Sequence, residues 1–369
     1  MAEFQFPTIP IINTQVISGK IMKLGGGVRF GCPRAVAFPG ILFSRCRPTF
    51  RCYSSPSPSS SSQDHVSFIK DVAATQAPEH LNELLKILQV RGEEIISPGA
   101  KQGLVPLVIP LSRRSSDSVT ALLRWPTAPS GMEMPLVEVR KHGVWLLAKN
   151  VDQYIHRVLV EEDANGHQEK TDELFRISAG AGKKLYEKGD FGASKIPSVD
   201  TYILKKVGLF PDVLERRIKQ HFDNGDNISA LVTGEFYTKK EHFPGFARPF
   251  VFNAEVLLKV GRNIEAKDAA RGALKSPWWT LGCEYHEVAT MAEWEDEQIE
   301  YIKEKVTEEG READLKKGKQ LAQVALDEAA FLLDLASIDG SWDDCAERIA
   351  ECYKEAGLHE VANFVVYRD

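Results

Sequence analysis

The pattern of hydrophobic and polar positions divides the chain into a mixed half and a helical half. Between about residues 100 and 245, the short apolar runs "GLVPLVIPL" and "SVTALLRWP" are bounded by Pro, Ser and Gly and predict strands. "PLVEVRKHGVWLLAKN" predicts a β-hairpin, because Gly143 can adopt a positive φ in its turn. From about Phe246 onward the strand signals stop, and the remaining segments predict five or six helices arranged as hairpins. We therefore predict an α+β fold class: a small mixed N-terminal α+β domain followed by an all-α helical-hairpin module.

Two stretches of the helical half share one spacing of small residues. In each, a glycine is followed by small residues at intervals of five and seven: Gly261, Ala266 and Ala273, and again Gly340, Cys345 and Cys352. Such spacing is typical of tetratricopeptide-like hairpins, in which small residues let two helices approach closely. The two units lie 79 residues apart, which is no simple multiple of the repeat length. We therefore predict a divergent helical bundle with repeat-like hairpins, in which the two cysteines are packing residues.

The first 53 residues differ in composition from the rest of the chain. Seven basic residues accompany a single acidic one, Glu3, and the serine- and proline-rich stretch "YSSPSPSSSSQ" follows. An acid-poor leader that contains Arg and Ser is typical of an organellar transit peptide, and its length and hydroxyl content favour the chloroplast. A disordered tail without a targeting role is the alternative. The predicted domains are a chloroplast transit peptide at 1–53, a Ser/Pro-rich linker at 54–64, an α+β domain at 65–245 and a helical-hairpin domain at 246–369.

The charge balance excludes nucleic acid as a partner. The whole chain has a net charge of −6, and because residues 1–53 contribute +6, the remainder has −12. Binding to a phosphate backbone needs clustered Lys and Arg, which a body this acidic does not offer. The longest apolar stretches are also shorter than the roughly 18 residues that span a bilayer, so no transmembrane helix is predicted.

No motif in the sequence predicts catalysis, a cofactor or a metal. "SAGAGKKLYEKG" lacks the first glycine and the Mg²⁺-binding hydroxyl of a phosphate-binding loop. Thr290 stands where a zinc-protease helix that starts at His286 would need its second histidine. We predict that the protein is not an enzyme and has no catalytic, cofactor-binding or metal-binding residues. The alternative is a stromal enzyme whose site is formed in the α+β domain by Arg124, Trp125, His142 and Tyr154.

One segment of the helical half predicts a partner-binding surface. "SPWWTLGCEYHEVATMAEWEDEQIEYIKEK" contains three of the chain's six tryptophans and a run of acidic residues. Aromatic side chains beside charges are favoured at protein interfaces. The alternatives are that the tryptophans fill the gap between two hairpins, and that the acidic run is a solvated helix face or steers a basic partner. The candidate partner-binding residues are Trp278, Trp279, Tyr285 and Trp294.

Three stretches resemble a known family. They are "SVTALLRWPTAPSGMEMPLVEVRKHGVWLLAKNVDQYIHRVLVEEDA", the "SPWWTLG" corner and "AAFLLDLASIDGSWDDCAERIAECYKEAGL". They are similar to the plant photosystem I assembly factor of the stromal face of the thylakoid, from about residue 65 to Asp369. The resemblance implies a non-catalytic protein of the chloroplast stroma and stromal thylakoid face. Its implied partners are photosystem I subunits, at the stage of the stromal iron–sulfur subunit, and other thylakoid assembly factors. An assembly factor for another thylakoid complex, such as the ATP synthase, is the alternative.

Overall fold

The computed structural model describes residues 61–128, 132–166, 168–180, 185–294 and 296–369. The predicted transit peptide lies outside the described residues. The described chain begins with two helices, α1 (Ser61–Asp71) and α2 (Leu81–Val90). Helix α2 buries one face, because its leucines recur three or four residues apart, and it ends before Gly92, which has a φ of 87°.

A five-stranded antiparallel sheet follows, with the strands in chain order. All five residues of β3 are buried, so the centre of the sheet is covered on both faces. The predicted hairpin is confirmed: Arg140 pairs with Gly143, which has a φ of 143°. The strands are β1 (Glu94–Ile95), β2 (Val108–Arg113), β3 (Val119–Leu123), β4 (Leu136–Arg140) and β5 (Gly143–Ala148).

Helices cover the sheet immediately after β5. The Asn150 side chain caps the first of them by accepting a hydrogen bond from the Gln153 backbone N–H at 2.7 Å, and Gly166 ends it in the left-handed conformation. This helix packs against α2 and β5. The elements of this part are α3 (Val151–Asn165), α4 (Gln168–Ile177), α5 (Asp190–Ala193), α6 (Val199–Tyr202) and a π-helical turn (Ile203–Val207).

The rest of the described chain, from Pro211, is helical, which confirms the helical prediction made for the region after Phe246. It includes two long hairpins, α9 with α10 and α14 with α15. Among the described residues, eight helices follow Phe246 where five or six were predicted. Residues 285–316 form three short helices, and a further short helix covers residues 359–366. The helices are α7 (Pro211–Asp223), α8 (Asn227–Tyr237), α9 (Arg248–Lys259), α10 (Asn263–Ala273), α11 (Tyr285–Ala292), α12 (Glu297–Lys305), α13 (Glu308–Lys316), α14 (Leu321–Asp339), α15 (Trp342–Glu355) and α16 (His359–Val366), with a 3₁₀ turn at Trp278–Thr280.

The α+β part and the helical part contact each other through hydrogen bonds far apart in the chain. Lys101 Nζ donates to the Phe364 carbonyl oxygen at 2.7 Å, and Trp342 Nε1 donates to the Lys141 carbonyl oxygen at 3.1 Å. The α+β fold class with a helical C-terminal module is therefore confirmed, whereas the predicted domain boundaries stay a prediction. Among the described residues, we find no helix whose length and apolar character would let it span a bilayer.

Candidate partner-binding surface

Trp278 fixes the segment that joins α10 to α11. Its indole is buried, and Nε1 donates to the Leu274 carbonyl oxygen at 3.0 Å. Its backbone N–H donates to Asp334 Oδ1 at 2.7 Å, and burial raises the pKa of that carboxyl well above its usual range. The Trp278 and Tyr285 ring centroids lie 4.2 Å apart. This tryptophan is therefore a packing residue of the interior in the described structure.

Trp279 connects the same segment to the β-sheet. Its ring centroid lies 5.2 Å from that of Trp125, which in turn meets the edge of Phe246 at 5.7 Å. Its carbonyl oxygen approaches Gly143 so closely that a Cβ atom there would lie 1.9 Å away. The contact requires glycine in the β4–β5 turn, and it buries Trp279 between the two parts of the chain.

Tyr285 is the third buried aromatic residue of the segment, with 2% of its surface exposed. Its hydroxyl has no hydrogen-bond partner among the described residues. Burial, and then the negative charge of Asp296, raise the pKa of this hydroxyl to about 12. The hydroxyl is therefore a neutral group with unused hydrogen-bonding capacity among the described residues.

Trp294 lies at the surface, unlike the other three candidates. Glu293 ends α11 in the left-handed conformation with a φ of 49°, and the Trp294 N–H donates to the Ala289 carbonyl oxygen at 3.0 Å. The Arg271 guanidinium carbon lies 5.3 Å from the centre of the half-buried indole ring. The ring borders a surface depression of about 440 Å³, lined by His286, Ala289, Thr290, Glu293, Trp294 and Asp296.

A second depression, of about 580 Å³, follows on α12 and contains an aromatic residue that the sequence prediction missed. Tyr301 is 40% exposed and lies among acidic side chains. Glu297 and Glu304 form no ion pair within the described chain, whereas Glu300 pairs with Lys303 at 2.9 Å. The sequence signal that could have identified Tyr301 is its position, seven residues after Trp294 in an acidic helix. This depression is lined by Glu297, Glu300, Tyr301, Lys303, Glu304 and Thr307, and we call the two depressions together the acidic–aromatic surface.

The four residues of the alternative enzyme site do not converge. The Arg124 guanidinium lies 5.6 Å from the ring of Phe364, and Trp125 packs on Trp279. His142 Nδ1 lies 2.9 Å from the Ser337 carbonyl oxygen. Tyr154 is buried, and burial raises its pKa. These are separate packing environments, so the residues do not form one site.

No metal centre occurs in the described part of the chain, where no three His, Cys, Asp or Glu side chains are grouped to hold an ion. Cys283, Cys345 and Cys352 are free cysteines. Burial raises the pKa of Cys283 to about 12 and that of Cys345 to about 11. These groups are therefore thiols rather than thiolates at neutral pH, which makes them poor nucleophiles and poor metal ligands.

Comparisons with known proteins give consistent similarities along the chain. Three family profiles match successive parts, described as PAB N-terminal at residues 63–206, PAB middle domain at 211–295 and PAB C-terminal domain at 299–367. A protein of Arabidopsis thaliana named "Protein IN CHLOROPLAST ATPASE BIOGENESIS, chloroplastic" is 69% identical over 308 residues. The match covers 84% of this chain and 92% of that protein. No solved structure matches.

The predicted resemblance to a photosystem I assembly factor is wrong. The similar Arabidopsis protein is named for the chloroplast ATPase, which agrees with the alternative of an ATP synthase factor. The three stretches that carried the resemblance contain no motif whose chemistry could separate two families of assembly factors. The acidic–aromatic surface lies at the junction of two matched regions, since Trp294 belongs to the middle match and Tyr301 to the C-terminal one.

Proposed function

Because the chain belongs to the PAB family, we propose that it is a non-catalytic assembly factor in the biogenesis of the chloroplast ATPase. The observation that supports this proposal is the identity of 69% to the Arabidopsis protein named for that process, over 92% of that protein's length. We propose the chloroplast as its compartment, because that relative is named chloroplastic and the leader has the composition of a transit peptide. The stroma and the stromal face of the thylakoid are the proposed working location.

We propose that the protein acts by transient binding to ATPase subunits and to other assembly proteins. The predicted site residues contribute in two ways. The half-buried Trp294 contacts the partner from the surface, together with Tyr301, which is 40% exposed. Trp278, Trp279 and Tyr285 hold the segment in place from below, because they are buried against Leu274, Trp125 and each other.

The proposal can be tested by expressing this chain in an Arabidopsis line that lacks the 69%-identical relative. We expect the line without the transgene to lose chloroplast ATPase, and this chain to restore it. Photosystem I content should be the same in both lines. The measurement is the amount of each assembled complex on native gels, with translation of the subunits followed by pulse labelling. A chain that accumulates in the chloroplast without restoring the ATPase would contradict the proposal.

A further inference from the structure

We propose that the acidic–aromatic surface binds an arginine-bearing segment of a protein partner. That this partner is an unassembled ATPase subunit rests on the proposed function, whereas the chemistry of the segment follows from the surface itself. Two features of the surface point to a guanidinium group: its negative charge and its aromatic rings.

The negative charge of the acidic–aromatic surface favours a cationic partner. Residues 299–367 contain sixteen acidic and eight basic residues, so this region accounts for much of the acidity of the protein. On α12, Glu297, Glu300 and Glu304 are exposed on one helix face at intervals of three and four residues. Glu300 pairs with Lys303, and the other two form no ion pair with a described residue. An incoming cation therefore gains attraction at Glu297 and Glu304 without breaking an existing ion pair.

The aromatic rings favour arginine over lysine as that cation. Each ring already has a cation of this chain near it: Arg271 lies 5.3 Å from the centre of Trp294, and Lys305 lies 5.6 Å from the centre of Tyr301. Both rings remain partly exposed beside carboxylates. Asp296 at Trp294, and Glu297 and Glu304 at Tyr301, form no ion pair with a described residue, whereas Glu293 pairs with Lys267. A guanidinium can stack on such a ring and also donate two hydrogen bonds to a carboxylate, which an ammonium group cannot do.

The spacing of the carboxylates defines the segment that fits. At a rise of about 1.5 Å per residue, Glu297 and Glu304 lie about 10.5 Å apart along α12, which is close to two helical turns. An arginine at every turn of an amphipathic helix matches this distance. The surface therefore fits a helix with arginines three or four residues apart on one face.

Fluorescence anisotropy of labelled helical peptides with the purified full chain tests the site. The probe has arginines at one-turn spacing in an alanine and glutamine background, and comparison peptides replace arginine with lysine or with the neutral analogue citrulline. We expect the arginine peptide to bind tightest, with an affinity that falls as salt increases. The triple change Glu297→Gln, Glu300→Gln and Glu304→Gln should weaken its binding about tenfold, equivalent to about 1.4 kcal/mol.

A matched control separates this surface from general attraction to an acidic protein. Asp344, Glu347 and Glu351 are exposed on α15 and form no ion pair with described residues. The triple change Asp344→Asn, Glu347→Gln and Glu351→Gln removes the same charge and should alter affinity by less than about twofold, since these residues lie outside the proposed contact. Equal losses in both triple variants would overturn the proposal, as would equal binding of the citrulline peptide. Lysine and arginine peptides of equal affinity would overturn the assignment to arginine. Circular dichroism checks that both variants are folded.

Complementation of the Arabidopsis line distinguishes this inference from the proposed function. We expect the α12 triple variant to restore less ATPase than the native chain, and the α15 triple variant to restore it fully. If all three chains restore the ATPase, the surface is not the partner site and the proposed function stands. If the native chain restores none, the proposed function fails, and the peptide experiment still decides whether the surface binds arginine.

Discussion

Lys101 is a lysine in a buried position, and its burial makes the stability of the fold depend on pH. Its side chain is fully buried, and its amine donates one hydrogen bond, to the Phe364 carbonyl oxygen. Burial, and then repulsion from Arg368 and Arg124, lower its pKa well below the usual range. The folded protein therefore holds fewer protons than the unfolded chain between the folded pKa and the unfolded value of about 10.4. Across that window stability rises with pH, and it falls as pH decreases.

We predict that Lys101→Met reduces this pH dependence. In urea unfolding between pH 7 and 9.5, the native chain should gain stability with pH by up to about 1.4 kcal/mol per pH unit from this residue. The Met variant should lack that contribution. Lys86→Met is the control, because Lys86 is exposed on α2. The same slope in the native and Lys101→Met proteins would show that the buried amine does not titrate in this way.

Asp334 makes stability depend on pH with the opposite sign from Lys101, because burial raises the pKa of an acid and lowers that of a base. It is buried, and it accepts the hydrogen bond of the Trp278 backbone N–H. Burial raises its pKa, so the stability that this carboxyl contributes is fully present below the unfolded pKa of about 3.9 and is lost as pH rises toward the folded pKa.

Asp334→Asn keeps an oxygen acceptor without a charge, so it should be as stable as the native chain, or more stable, at pH 8. Asp334→Ala should cost about 1–3 kcal/mol, because it leaves the Trp278 N–H unpaired. Thermal unfolding of both variants from pH 5 to 8 is the measurement.

At the scale of secondary-structure elements, the sequence predicts the hairpins and helices that depend on residues close together in the chain. The β4–β5 hairpin follows from alternating apolar residues and Gly143, and the α9–α10 hairpin follows from small residues such as Ala266 and Ala273, which are fully buried. The short helices α11–α13 were not separated, because α11 ends where Glu293 takes a left-handed conformation that glutamate does not signal. The burial of Trp278 and Trp279 likewise depends on partners far away in the chain, such as Asp334 and Trp125.

The β4–β5 turn contacts Trp279, which lies far away in the chain, at Gly143. Gly143→Ala would place a Cβ atom 1.9 Å from the Trp279 carbonyl oxygen, at a φ of 143°. We expect a loss of more than about 3 kcal/mol, since backbone strain and a backbone clash add together. Gly166→Ala is the control, because its φ is also positive at 69° but no atom lies within 4 Å of its Cβ position. That variant should lose only about 1–2 kcal/mol in urea unfolding. Equal losses would mean that the Trp279 contact adds nothing.

At the scale of the whole molecule, α16 connects the helical module to the start of the described chain. Phe364 is fully buried, and its ring meets the edge of Phe68 on α1 at 6.4 Å. Lys101 Nζ lies 3.7 Å from the centre of the same ring. The Asp369 backbone N–H donates to the Gly99 carbonyl oxygen at 3.2 Å. These contacts predict that the α+β part and the helical part unfold together rather than as independent domains.

Phe364→Ala tests this coupling. The substitution removes a buried aromatic ring and should cost about 3–5 kcal/mol. Hydrogen exchange followed by mass spectrometry should then show faster exchange both in α16 and in residues 97–103, because the two regions share the lost contacts. Val366→Ala is the control, since Val366 is 40% exposed on the same helix, and it should change stability by less than about 0.5 kcal/mol. If Phe364→Ala accelerates exchange in α16 alone, the α+β part and the helical part unfold as independent units.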